Sequence, residues 1–275
     1  MRIPVLLLTL LGTFAGATAH AEPKVGPAHG ALIIHGGGRL GRETLQEFIR
    51  LAGGVDANFV IIPTAEPGED WGEPYVAQSF LTRAGAKHVT VVHTRDRAMA
   101  DSAAFVEPLV KANAVWIDGG RQWRLADAYL GTRTLTELHK VLDRGGVIAG
   151  SSAGATIQGS YMVRGAPEGN TIMMAKGHEE GFGFLRNSAI DQHTITRHRE
   201  EDMQPVIAAH PDLLGFGIDE GTALVVQGDR ARVIGASKVV VTDHAYTPGA
   251  DGLRYFFLNT GDALDLVTRR PVVGK

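Results

Sequence analysis

The chain has 275 residues, 44% of them hydrophobic and 21% charged, which places it among globular proteins and away from disordered or fibrous chains. Its formal net charge is -3 with both signs interspersed, so no basic block offers a footprint for nucleic acid. Cysteine is absent, which excludes disulfides and a lipid anchor on a cleaved cysteine.

At the N-terminus, Met1-Arg2 precedes an apolar run from Ile3 to about Ala15, and Ala19-His20-Ala21 stands ahead of Glu22-Pro23. This reads as a cleaved export signal over residues 1–21, with an apolar run too short to span a bilayer comfortably. The expectation is a secreted protein, periplasmic or extracellular, with a single domain over 22–275 and no membrane contact after cleavage.

From residue 30, short apolar strands alternate with longer amphipathic segments. Strand 31–34 runs into Gly36-Gly37-Gly38, and a helix follows over 42–52. Strand 58–63 precedes a helix at 75–84, and strand 88–92 precedes one at 103–111. Strand 113–117 leads into Asp118-Gly119-Gly120 and a helix over 125–143. Strand 146–150 ends at a pair of serines. Continuous apolar strands separated by helices predict a mainly parallel, three-layer α/β sheet, with any site along its carboxyl edge. Residues 160–190 read as a long loop or short hairpin, and helix signals return at 200–209. Four further strands follow, joined by tight turns such as Gly228-Asp229.

The fifth strand delivers Gly150-Ser151-Ser152-Ala153-Gly154. Gly-x-Ser-x-Gly between a strand and a helix fits a nucleophile elbow, where small residues let a strained serine project at the sheet edge. The spacing selects Ser152 over Ser151 as nucleophile. The amide of Ala153, at the helix start, would face a developing oxyanion. A serine needs a base, and among eleven histidines His193 stands out at the end of Ile190-Asp191-Gln192-His193, with Arg197 and Arg199 close by. Gly119-Gly120 follows the fourth strand, and Gly120 is the expected second oxyanion donor.

Gly119-Gly120-x-Gln122, Gly150-Ser151-Ser152-Ala153-Gly154-Ala155, Asp191-Gln192-His193 and Gly217-Ile218-Asp219-Glu220-x-Thr222-Ala223 occur in that order. Together they resemble the cyanophycinase-like serine peptidases of family S51. The resemblance implies a class I glutamine amidotransferase-like (flavodoxin-like) fold, a Ser–His–acid site on Ser152 and His193, no cofactor or metal, and a dimer. It places the acid between serine and histidine, where Glu168 is the carboxylate on offer. It also implies hydrolysis of multi-L-arginyl-poly-L-aspartate to β-Asp-Arg dipeptides, with Gln122, Asp191, Gln192, Arg197 and Arg199 contacting the peptide substrate.

One departure bears on substrate choice. Three arginines at set spacing are expected after the histidine, and the third position holds Asp202, while Thr194 replaces a phenylalanine. An aspartate cannot clamp a carboxylate as a guanidinium does, so a different aspartyl or isoaspartyl peptide is the other substrate to consider. A serine esterase or amidase of other specificity and a non-catalytic peptide-binding homologue are the competing readings. A metal hydrolase is disfavoured, because the histidines lack an i, i+4 pair around a glutamate.

Overall fold

The computed structural model describes residues 24–248 and 250–272. The expected export signal over 1–21 lies outside these residues. β1 (Ala31–His35) is buried at every position. α1 (Arg42–Ala52) turns Thr44, Phe48 and Ala52 inward and leads to β2 (Asn58–Ile62).

The helix expected over 75–84 is two short ones, α2 (Glu73–Gln78) and α3 (Phe80–Arg83). Ser79 divides them: its backbone is extended, and its Oγ caps α3 by accepting the Thr82 N–H at 3.2 Å. β3 (His88–Val91) and α4 (Arg97–Ala100) come next. α5 (Glu107–Lys111) starts later than expected, because Pro108 belongs in a first turn. After β4 (Ala114–Ile117), the expected 125–143 helix is also broken, into α6 (Gln122–Tyr129) and α7 (Arg133–Asp143). Gly131 sits between them at φ 70, a left-handed conformation that a helix cannot contain.

β5 (Val147–Ser151) and α8 (Ala153–Thr156) flank Ser152. The stretch expected as a long loop or short hairpin holds β6 (Gly159–Tyr161) and the start of β7 (Leu185–Gln192), which pair parallel rather than as a hairpin. α9 (Gln204–Ala209) and β8 (Leu214–Ile218) precede the hairpin of β9 (Thr222–Gln227) and β10 (Arg230–Gly235). β11 (Lys238–Asp243), β12 (Phe256–Asn259), β13 (Ala263–Asp265) and β14 (Arg270–Pro271) complete the described residues.

These strands build two sheets in a mixed α/β fold. The larger has nine strands in the order β14-β13-β10-β9-β1-β5-β4-β2-β3. Its β1, β5, β4, β2 and β3 are parallel, as the alternating pattern predicts. β9 runs antiparallel to β1, and the strands beyond it continue antiparallel. The expectation of a mainly parallel sheet therefore holds for one half only. Gly228-Asp229 links β9 and β10 as a hairpin, and a hairpin cannot be parallel. The second sheet has five strands in the order β12-β11-β8-β7-β6, with β6, β7 and β8 parallel.

Apolar side chains cover both faces of the large sheet. Leu32, Ile34, Val115 and Ile148 form one core with Leu125, Leu138 and, from the second sheet, Ile190 and Phe216. Ile33, Ile61, Trp116 and Ala149 form the other with Phe48 of α1 and Leu81 of α3. At the amino end of β1 the chain is held by one carboxylate. Asp229 accepts the N–H groups of Lys24, Val25 and Gly26 at 2.8 to 3.2 Å. Although burial opposes it, these amides hold the Asp229 carboxyl below its ordinary range.

Candidate active site

Ser152 stands where the carboxyl ends of β1, β5 and β4 meet. His35 pairs with Ser151 across β1 and β5, and Ile117 pairs with Gly150 across β4 and β5. The Ser152 backbone is strained, with φ 54 and ψ -110 on a residue that has a Cβ. The flanking glycines are steric necessities. A Cβ on Gly150 would lie 2.2 Å from the Gly154 carbonyl oxygen, and one on Gly154 would lie 2.0 Å from that of Ile117. The predicted elbow is present in its geometry.

β7 carries His193 to the same edge, also at positive φ (56). Its Nε2 is 2.9 Å from Ser152 Oγ. Its Nδ1 is 2.5 Å from Oε1 of Glu220, so the carboxylate on the imidazole is Glu220. This corrects the assignment of Glu168, which lies on an exposed loop with no hydrogen bond to His193 among the described residues. The physical reason is strand pairing. β7 and β8 are parallel neighbours with Gln192 opposite Ile218, so His193, one residue on, and Glu220, two residues on, arrive side by side. Asp219, the adjacent acid, is occupied in the turn by the N–H and hydroxyl of Thr196 and the hydroxyl of Ser237.

Burial lowers the His193 pKa from its ordinary value. The hydrogen bond to Glu220 opposes that shift, while the positive charges of Arg197 and Arg199 reinforce it. The net effect favours the neutral ring, the form able to take a proton from Ser152. On the other side of the serine lies the Gly119-Gly120 turn. A Cβ on Gly119 would sit 3.9 Å from Ser152 Oγ, and Gly120 follows at φ 124 beneath the Ala65 carbonyl. Ala153 begins α8, where the first amides of a helix have no partner within it.

Two expected substrate contacts are engaged inside the protein instead. Gln122 is buried, and its Nε2 donates to the carbonyls of Val163 and Arg164 at 2.8 and 2.9 Å. Asp191 is buried and paired at both oxygens with Arg164, at 2.7 and 2.8 Å. Arg164 also donates to the Asn170 carbonyl and, at 2.5 Å, to Asp202 Oδ2. Burial opposes the Arg164 charge, but the two carboxylates raise its pKa and keep it protonated. Asp202, the residue that departs from the expected arginine, is thus matched to a buried cation of this chain.

The remaining three flank His193 in the chain. Gln192 is buried with its Oε1 unpartnered among the described residues. Arg197 is exposed, and Arg199 makes one long contact, 3.5 Å, to the Gln192 carbonyl. Neither arginine has a carboxylate partner among the described residues. Sequence patterns assign no role to two further polar groups. His35 is buried beside Ser151. Asp118 accepts from the Tyr75 hydroxyl and, at 2.9 Å, from Trp116 Nε1. Burial pushes the Asp118 carboxyl up to about 6, against the pull of those two donors.

The model of peptidase family S51 matches residues 32–234, which contain every residue of this arrangement. The chain belongs to peptidase family S51. It is a serine-type peptidase, a hydrolase. Its S51 relatives include the cyanophycinase of Geminocystis herdmanii, 32% identical over 252 residues, covering 85% of this chain and 92% of that one. A cyanophycinase of a Nostoc species is 32% identical over 265 residues, covering 87% and 86%. Among solved structures, a peptidase from an acI-B1 Actinobacterium superposes with a TM-score of 0.64 at 24% identity, covering 86% of this chain and 97% of that one. A putative peptidase E protein from Listeria monocytogenes gives 0.56 at 15%, covering 76% and 99%. At those identities the two structures speak for the shared fold alone.

Proposed function

We propose that this S51 peptidase is secreted and hydrolyses cyanophycin or a closely related aspartyl or isoaspartyl peptide, releasing β-Asp-Arg-type dipeptides. The observation that carries the chemistry is the continuous hydrogen-bonded line from Ser152 Oγ through His193 to Glu220, at 2.9 and 2.5 Å. Ser152 attacks the amide carbonyl while His193 Nε2 takes its proton, and Glu220 stabilises the imidazolium at Nδ1. The amides of Ala153 and Gly120 receive the oxyanion. His193 then returns the proton to the leaving amine, and water enters by the same route in reverse to free the acid product. The cyanophycinase relatives support the substrate class, as do the Arg197 and Arg199 guanidiniums beside His193, suited to an acidic peptide. The sheet order supports a class I glutamine amidotransferase-like framework under this site.

The test is direct. The protein incubated with cyanophycin should release β-Asp-Arg, identified by mass spectrometry against a panel of α- and β-aspartyl peptides. A protein that cleaves only other members of the panel would overturn the cyanophycin assignment and leave the serine mechanism standing.

The sign of the His193 shift sets the acid limb of activity. A depressed pKa keeps the ring neutral to lower pH, so the acid limb of kcat/KM is centred below 6.5, the ordinary histidine value. A pH–rate profile whose acid limb is centred at or above pH 6.5 would contradict this environment for His193.

A further inference from the structure

The loop after β1 touches all three members of the catalytic line. The His35 carbonyl accepts the Ser152 N–H at 3.0 Å, and the Gly36 carbonyl accepts the His193 N–H at 2.8 Å. The Gly37 carbonyl accepts the N–H of Gly221, the residue after Glu220, at 2.9 Å. Contacts are as close as a backbone allows. A Cβ on Gly37 would fall 2.2 Å from His193 Cε1, and one on Gly38 would fall 2.6 Å from Glu220 Oε2. A displacement of this loop therefore moves serine, base and acid together.

Across residues 35–38 only His35 has a side chain beyond glycine's, so only it can anchor the loop through a side chain. The ring is fully buried. Its Nδ1 is 3.0 Å from Ser151 Oγ and 3.4 Å from the Gly37 nitrogen. A backbone N–H can only donate, so Nδ1 is the acceptor, the ring proton resides on Nε2, and the Ser151 hydroxyl also donates inward. Nε2 has no partner among the described residues, and the ring centroid lies 6.5 Å from that of Trp116. Burial, reinforced by neighbouring His193 and opposed by Glu220, pushes the His35 pKa down to about 4, so the ring is neutral near pH 7.

We propose that His35 is a positioning residue: as a neutral acceptor it ties Ser151 to the Gly37 amide and so holds Ser152, His193 and Glu220 in register. The proposal rests on the Ser152–His193–Glu220 reading but not on cyanophycin being the substrate.

Two variants separate this role from simple packing. In His35→Asn the side-chain Oδ1 takes the place of Nδ1, whereas His35→Leu has the same branched shape and no acceptor. Both lose comparable ring volume. The readout is the rate at which a fluorophosphonate labels Ser152, followed by intact-protein mass spectrometry and corrected for folded fraction. Alongside it, kcat and KM are measured on any peptide the protein cleaves.

The leucine variant should label, and turn over, about 10- to 100-fold more slowly with KM little changed, the cost of a small misplacement of reacting groups. The asparagine variant should recover to within about threefold of the parent. Equal rates in the two variants, whether both fast or both slow, would overturn the proposal. If the leucine variant fails to fold, Ser151→Ala removes one donor at little cost in volume. Its labelling should slow about 3- to 10-fold, and an unchanged rate would overturn the proposal. Absence of labelling in the parent protein would overturn the Ser152 reading, and this proposal with it. Failure to cleave cyanophycin touches neither.

Discussion

Glutamine in place of Glu220 should lower kcat by roughly 10³- to 10⁴-fold, because an amide cannot stabilise the imidazolium and favours the wrong tautomer of its histidine. The 2.5 Å contact between Glu220 Oε1 and His193 Nδ1 makes this the carboxylate whose removal the ring registers. Shape is conserved in the change, so folding should survive. Glu168→Gln, on its exposed loop, should leave kcat near that of the parent. Steady-state kinetics on any cleaved peptide decides between the two. A large loss in the Glu168 variant with none in the Glu220 variant would reverse the assignment made from the structure.

The second large effect concerns the nucleophile. Ser152→Ala should reduce kcat by about 10⁶-fold, the scale at which a serine triad is lost as a unit. Some rate above the uncatalysed reaction should remain from the oxyanion donors and substrate binding. Binding itself should persist, since the hydroxyl is removed from a strained turn that alanine can enter as well as serine. Titration calorimetry with a slowly cleaved peptide can show this while the kinetic assay reads near zero. Undiminished turnover in Ser152→Ala would refute the mechanism, and Ser151 would then become the residue to examine.

The parts of this site legible in the sequence are those set by local geometry. Ser152 declares itself because Gly150 and Gly154 are required by contacts within one strand–turn–helix unit. His193 is legible for a similar reason, as a polar triplet at the end of an apolar strand. Glu220 belongs to the Gly217-Ile218-Asp219-Glu220-x-Thr222-Ala223 motif, yet its role depends on β7 and β8 lying side by side. That pairing joins segments 27 residues apart in sequence, and no local pattern encodes it. The same distance hides the fate of Asp191, whose partner Arg164 comes from the loop after β6. Helix continuity failed at Ser79 and Gly131 because apolar periodicity continues through both positions, while backbone geometry does not. The antiparallel half of the large sheet is not legible in sequence, because a strand pattern shows length and burial but not direction.

The amide clamp at Asp229 also says where this molecule can be held. Lys24 is fastened at the amino end of β1, and Ser152 sits beyond its carboxyl end, about 16 Å of strand away at about 3.3 Å per residue. The clamp and the catalytic line therefore lie at opposite ends of β1. Immobilised through the exposed Lys24 side chain, the peptidase would keep the carboxyl edge of the sheet, where Ser152 stands, away from the support.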